Sequence, residues 1–292
     1  MPRPLQNGML LMAFAALLFA GMSALAKLAA QQVPSSEVVF FRSLLASLIL
    51  LSIHASRRQA GPWLGKRKGL LLLRGTFGAT GLLLYFFALD GLAVADAMLL
   101  NQCSPLFVLF LAVPFLGEKL RLVQILVVPF TAAGVLLVIR PDLNLLNPYG
   151  LAGFASAAFA GAAYVCVRKL TRTEPSETII LYFAVLSTVI SAPLMLADFQ
   201  WPDGATWLAL AGVGLLSVGA QLLLTAAYRR EKAGRVAMVG TIGPVFAGLL
   251  DLAIWDRLPD WPVLLGAILI LGSLLALHRQ GRRSQPDSPK SS

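Results

Sequence analysis

Charged side chains inside long apolar stretches are the residues of this sequence best suited to chemistry. The clearest is Arg42, about two helical turns into an apolar run that starts near residue 35. A cation deep in a bilayer costs about 2.5–3.5 kcal/mol even on lenient insertion scales. Arg42 is therefore expected either to face a cavity, where it would attract a carboxylate or phosphate, or to lie near the interface, where it reaches water or pairs with Glu37.

Two further charges lie inside apolar stretches. Lys27 follows Ser23 by four residues, on the same face of a predicted helix. It either extends to the interface or joins Arg42 in the cavity. Asp251, about one turn before Trp255, is the acid best placed for proton coupling, although it can instead pair with Arg42 or Arg257.

Uncharged polar residues also mark helix interiors. Ser217, Gln221, Thr225 and Tyr228 are spaced so that they form one stripe, which lipid would not solvate. Such a stripe hydrogen-bonds either a substrate or neighbouring helices. The tyrosines can line a cavity, pack in the core or lie in an interfacial aromatic belt. The predicted substrate-binding residues are Lys27, Arg42, Tyr85, Asn101, Gln102, Tyr164, Tyr182, Gln221 and Thr225.

Two prolines lie within apolar stretches of similar pattern. Pro105-Leu106-Phe107 in one stretch corresponds to Pro244-Val245-Phe246 in the other. A proline removes a backbone donor, so each is predicted to bend a helix beside the cavity. Pro105, Pro244 and Asp251 are the residues predicted to act in coupling or gating.

The composition excludes a soluble globule. Of the 292 residues, 58% are hydrophobic and only 13% are charged, and the mean hydropathy is +0.77. Soluble domains carry about 25% charged residues. The net charge of +10 comes from basic residues in short gaps between apolar runs, which is typical of membrane topology and not of a nucleic-acid-binding face.

Ten apolar segments, each close to the ~20 residues that a spanning helix needs, lie at about 8–30, 35–54, 69–89, 93–116, 121–139, 149–169, 177–197, 205–228, 234–255 and 260–277. With the N-terminus inside, 20 of the 24 lysines and arginines fall on the cytoplasmic side, a count that includes Arg74. The sequence therefore predicts an all-α protein of the plasma (inner) membrane with ten transmembrane helices and both termini cytoplasmic.

The two proline-containing stretches indicate an internal duplication. Lys27 then corresponds to Lys169, and Arg42 to Tyr182. Counterparts are five helices apart, and an odd number reverses direction, so the halves are predicted to be inverted repeats. The predicted units are residues 1–143 and 144–278, followed by a disordered cytoplasmic tail at 279–292.

The chain resembles the drug/metabolite transporter superfamily, in particular proteins with two EamA-type domains, over about residues 8–278. The matching motifs are Lys27, Pro34 with Phe40-Phe41-Arg42, the stretch at 95–119 with Ser104-Pro105-Leu106-Phe107, and Gly243-Pro244-Val245-Phe246. In the last motif the family has Glu where this chain has Gly243. The resemblance implies a ten-helix bundle, a central cavity lined mainly by helices 1–4 and 6–9, and alternating access.

These features favour a secondary transporter, with export preferred, of small polar or amphipathic metabolites such as amino acids or related anionic compounds. Its partners are then the lipid bilayer and a small-molecule substrate, with no metal, cofactor or nucleic acid. A membrane-embedded enzyme would need a nucleophile with a base, a metal set or paired carboxylates, and the distant His54 and His278 offer none of these. A channel would more naturally show a filter motif. The exact substrate, proton coupling and oligomeric state stay open.

Overall fold

The computed structural model describes residues 8–56, 65–116, 122–139, 147–171, 173–230, 239–240 and 242–283. Within these residues the secondary structure is helical throughout. The helices are α1 Gly8–Ala29, α2 Ser35–Ser56, α3 Lys68–Gly91, α4 Val94–Asn101, α5 Ser104–Leu116, α6 Leu122–Ile139, α7 Pro148–Leu170, α8 Ser176–Ala197, α9 Gly204–Arg230, α10 Gly243–Trp255 and α11 Trp261–Arg283. The motif residues Glu118 and Lys119 lie outside the described part.

Six of these helices are long and apolar enough to cross a membrane. They lie at Gly8–Ala29, Ser35–Ile53, Lys68–Gly91, Pro148–Val167, Ser176–Ala197 and Gly204–Ala227. Large apolar side chains such as those of Val189, Leu196 and Leu208 are exposed on the outside of the bundle. Because a soluble protein rarely exposes such a continuous apolar surface, this exterior matches a bilayer as its solvent. The predicted all-α membrane architecture is confirmed, whereas the count of ten helices stays a prediction.

The two proline-containing stretches differ from the bent helices that we predicted. Residues 93–116 form two helices, α4 and α5, separated by a turn at Gln102 and Cys103. Pro105 is the second residue of α5, and Pro244 is the second residue of α10. The first turn of a helix has N–H groups without intrahelical partners, so a proline costs little there. Each proline therefore begins a helix and does not bend a continuous one.

The helices pack in pairs that join the two halves of the chain. Helix α1 lies along α9, α3 along α7, α2 against α8, and α6 against α11. Glycine permits the closest approaches: a Cβ on Gly75 would lie 3.1 Å from the Tyr182 carbonyl oxygen, and one on Gly161 would lie 2.9 Å from that of Ser104. Small residues at such crossings let membrane helices gain dispersion contacts.

The last helix is longer than the sequence predicts. Helix α11 continues to Arg283, which includes the first five residues of the predicted tail at 279–292. Residues 284–292 lie outside the described part of the chain.

Candidate functional site

Arg42 lines a small crevice between α2, α8 and α9. It is the eighth residue of α2, so it lies about 10 Å along the helix from its start. Its side chain is only 3% exposed. The polar residues that share the crevice are Ser217 and Gln221 of α9, and Phe183 of α8 forms an aromatic wall. We call this group, completed by the apolar residues Ala46, Ile180, Ala184 and Val218, the arginine crevice.

No carboxylate of the described residues pairs with Arg42. Its guanidinium carbon lies 5.9 Å from the centre of the Phe86 ring and 5.7 Å from that of Phe183, and its Nε has no hydrogen-bond partner. Glu37, considered above as a partner, instead accepts a hydrogen bond at 3.1 Å from the backbone N–H of Gln200. A separation of five residues places Glu37 and Arg42 on different faces of α2.

Arg74, counted above among the cytoplasmic cations, is a second buried cation. It is the seventh residue of α3 and is 7% exposed, and its Nε also lacks a hydrogen-bond partner. Its guanidinium carbon lies 4.5 Å from the centre of the Phe183 ring. The apolar run Leu70–Leu73 before it was the available sequence signal, outweighed by the basic residues at 66–68.

Arg42 and Arg74 therefore share one aromatic ring. Since their guanidinium carbons lie 5.7 and 4.5 Å from its centre, they are at most about 10 Å apart, close enough to repel each other in a medium of low dielectric constant. Cation–π contacts with Phe183 offset part of the cost of burying these charges. Arg42 lines the arginine crevice, whereas Arg74 contacts the Phe183 ring without being part of the crevice lining. The two buried cations make this region positive, which favours an anion.

The polar stripe of α9 is only partly in this site. Ser217 and Gln221 face the crevice, whereas the Thr225 hydroxyl donates to the Gln221 carbonyl oxygen at 2.8 Å within the helix. The Tyr228 side chain lies outside the described part. Tyr182 packs beside the buried cluster Leu71, Leu170 and Ile179, and Tyr164 is 42% exposed on α7, so the structure places neither in the crevice lining.

Lys27 belongs to a different cluster, at the end of α1. Its ammonium group donates to the Leu92 carbonyl oxygen and lies 5.5 Å from the centre of the Trp255 ring. The hydroxyls of Ser23 and Tyr85 are 2.8 Å apart one turn deeper. Asp251 interacts electrostatically with Lys27. We call Lys27, Tyr85 and Asp251, with these partners, the Lys27 cluster.

Asp251 caps another helix. Its carboxylate oxygens accept hydrogen bonds from the backbone N–H groups of Val94 at 3.1 Å and Ala95 at 2.7 Å, at the start of α4. The side chain is 3% exposed. A carboxylate at a helix N-terminus satisfies unpaired donors and interacts favourably with the helix dipole. Within the described residues it forms no ion pair with Arg42 or Arg257.

Asn101 and Gln102 hold the break between α4 and α5. The Asn101 amide donates to the Ser156 hydroxyl of α7 at 2.8 Å, and the Gln102 amide donates to the Gly240 carbonyl oxygen at 2.8 Å. These bonds link the turn between α4 and α5 to α7 and to the segment at 239–240. Across the described ranges no group of three or more His, Cys, Asp or Glu side chains could hold a metal ion.

The sequence model of the EamA-like transporter family matches residues 6–140 and, a second time, residues 148–278. The chain belongs to the EamA-like transporter family. The resemblance drawn from its motifs is thereby confirmed. As a member of this family it is a multi-pass membrane transporter with a small-molecule substrate, and not an enzyme.

Several named relatives align along most of this EamA-like chain. The "Pseudopaline exporter CntI" of Pseudomonas aeruginosa strain UCBPP-PA14 is 35% identical over 279 residues, which cover 94% of this chain and 97% of that protein. Human "Solute carrier family 35 member G1" is 28% identical over 259 residues, covering 83% and 71% of the two chains. The "Riboflavin transporter" of Brucella anthropi is 28% identical over 257 residues, covering 85% and 89%.

A solved crystal structure shares the fold. It is 22% identical in sequence, covers 94% of this chain and 98% of its own, and superposes with a TM-score of 0.68.

Proposed function

We propose that this chain is a secondary transporter that exports small polar or amphipathic anionic metabolites by alternating access. The observation that carries the proposal is Arg42, buried in the arginine crevice without a carboxylate partner among the described residues. A buried cation is costly unless something compensates it. A substrate carboxylate or phosphate would do so with charge-assisted hydrogen bonds, while Gln221 and Ser217 offer contacts to its uncharged part.

We propose ten transmembrane helices in two inverted repeats, residues 1–143 and 144–278, in the plasma (inner) membrane with both termini cytoplasmic. The pairing of α1 with α9 and of α3 with α7 supports this arrangement, because an inverted duplication relates the two pairs to each other. Two carboxylates join corresponding pairs of elements, although they are not counterparts of each other in the two halves. Glu37 of α2 accepts a hydrogen bond at 3.1 Å from the backbone N–H of Gln200, before α9. Glu174, before α8, accepts one at 2.8 Å from each of the backbone N–H groups of Lys66 and Arg67, before α3.

Export is favoured by the most similar of the three relatives above. The Pseudomonas protein named a pseudopaline exporter is 35% identical over nearly the whole chain, whereas the riboflavin transporter is 28% identical. We therefore propose outward transport, with pseudopaline as the first compound to test and riboflavin as the second.

The Lys27 cluster is proposed as the gate at the end where α1 terminates. Lys27 ties α1 to the Leu92 carbonyl oxygen, and Asp251 ties α10 to the start of α4. Breaking these contacts would separate α1 and α10 from the α3–α4 connection. Pro105 and Pro244 begin α5 and α10, so each sits where a short helix can turn about a break.

Flux through proteoliposomes tests the proposal. Purified protein is reconstituted and exchange of labelled pseudopaline, riboflavin and a panel of amino and carboxylic acids is measured. We expect Arg42→Gln to reduce flux of carboxylates at least tenfold without lowering the melting temperature. Arg42→Lys should have an intermediate flux, because lysine keeps the positive charge but lacks the planar, paired N–H donors of the guanidinium group. Arg67→Gln, which removes an exposed arginine, is the matched control.

Two outcomes would contradict it. Absence of flux for every compound would reject a transporter of these metabolites. Equal flux of carboxylates through the wild type and Arg42→Gln would remove Arg42 from the site. Direction is read separately in preloaded cells, which should lose a transported compound faster than cells that carry Arg42→Gln.

A further inference from the structure

The interior of this protein carries two positive charges that its own described carboxylates do not neutralise. Arg42 is 3% exposed and Arg74 is 7% exposed, and the Nε atom of each is buried without a hydrogen-bond partner. The buried carboxylates of the described residues have other partners, and Asp251 caps α4. Glu37 binds the backbone of Gln200, and Glu174 binds the backbone before α3.

Phe183 compensates both charges only in part. Its ring lies 5.7 Å from the Arg42 guanidinium carbon and 4.5 Å from that of Arg74. A ring interacts with a cation through its quadrupole and accepts no strong hydrogen bond from the guanidinium N–H groups. The buried Nε–H donors of both arginines therefore stay unpaired. A ligand that neutralises both arginines must bring two negative charges.

We propose that the transported substrate is a small divalent anion, with one negative charge bound by Arg42 and the other by Arg74, and that Arg74 selects for the second charge. This inference rests on the proposed function and names its substrate class. The two guanidinium carbons are at most about 10 Å apart. Within that limit, and with N–H···O⁻ contacts of about 2.8 Å at both ends, a short dicarboxylate or a phosphate monoester is the size of anion that both groups can reach. Both guanidinium groups lie against the ring of Phe183.

The choice of probes distinguishes a dicarboxylate substrate from a phosphate monoester. Proteoliposome exchange is measured with labelled succinate, with its monoamide succinamate, and with glycerol 3-phosphate against glycerol. We expect the wild type to exchange succinate at least tenfold faster than succinamate if a dicarboxylate is the substrate, and glycerol 3-phosphate at least tenfold faster than glycerol if a phosphate ester is. A preference within either pair supports the proposal.

Variants of Arg74 test whether this residue binds the second negative charge of the substrate. Arg74→Gln should reduce the preference for the divalent probe to about twofold or less while exchange of the monovalent probe continues. Arg74→Lys should keep a clear preference, since the charge remains. Arg67→Gln, an exposed arginine just before the same helix, should behave as the wild type. Melting temperatures in detergent identify any variant that fails to fold.

Three results would overturn the inference. The first is equal exchange of divalent and monovalent probes by the wild type, which needs no variant. The second is an unchanged preference in a folded Arg74→Gln protein. The third is exchange of neither divalent probe. If pseudopaline or monocarboxylates are still exchanged in any of these cases, the proposed transport function stands and only the charge selection fails.

Discussion

Gly134 of α6 and Gly266 of α11 face each other where the two helices cross. A Cβ on Gly134 would lie 2.8 Å from the Gly266 carbonyl oxygen, and one on Gly266 would lie 2.7 Å from that of Gly134. Neither backbone can yield without separating the helices. We expect Gly134→Val to destabilise the protein by about 1–3 kcal/mol, as overpacking does in cores. The melting temperature of the variant in detergent measures this loss of stability.

The control for that variant lies on the same helix pair. A Cβ on Gly272 of α11 would meet nothing within 4 Å, so Gly272→Val should leave the melting temperature nearly unchanged. Equal destabilisation by both variants would show that the effect comes from valine itself and not from the crossing.

Gly78 makes room for the Arg74 head group. A Cβ at position 78 would lie 2.2 Å from Nη1 of Arg74 and 2.8 Å from the Phe183 ring. Because the nearest atom ends a flexible side chain, Gly78→Ala should fold while displacing the guanidinium. We expect about a tenfold loss of flux for the divalent probes, with continued exchange of the monovalent probes and a small change in melting temperature. Gly69→Ala is the control, since a Cβ there meets nothing within 4 Å, and wild-type flux in Gly78→Ala would contradict the role given to Arg74.

Asp251 should contribute more to stability than an exposed aspartate. Asp251→Ala removes both hydrogen bonds to the start of α4, a loss of about 1 kcal/mol or more by analogy with helix caps. The melting temperature of Asp256→Asn, an exposed neighbour, provides the comparison. Flux driven by a pH gradient tests the coupling role: if Asp251→Asn accumulates substrate as the wild type does, Asp251 does not couple transport to protons.

Much of the helix placement follows from hydropathy. The prediction at 8–30 matches α1 at Gly8–Ala29, and that at 177–197 matches α8 at Ser176–Ala197. The break after Asn101 was not predictable, because the apolar run continues through it. It is held by contacts to Ser156 and to Gly240, which are distant in sequence.

The site was predictable only through its strongest signal. Arg42 was identified because a cation inside an apolar run is costly wherever it lies. Arg74 has the same signal, but its position near Lys66, Arg67 and Lys68 favoured counting it with the cytoplasmic cations. Its guanidinium group packs against Phe183, a residue of α8 that no local pattern connects to it.

The orientation of the chain is tested by reporter fusions. A reporter at Ser292 and one inserted in the loop at 198–203 should give opposite signals if there are ten helices with both termini cytoplasmic. Arg74 is buried and is therefore removed from the count of cytoplasmic cations. The excess of lysine and arginine on the cytoplasmic side stays large without it. Matching signals at the two sites would refute the ten-helix topology.

The contacts of Glu37 and Glu174 have a consequence for how this family can diverge. Each carboxylate is bound by backbone N–H groups, those of Gln200 in one case and of Lys66 and Arg67 in the other. Every amino acid except proline supplies such a donor. The residues at the three donor positions can therefore change without loss of either hydrogen-bonded contact. The two glutamates cannot change in this way, because their side chains are the acceptors. We therefore expect many substitutions to be tolerated at Gln200, Lys66 and Arg67, and few at Glu37 and Glu174.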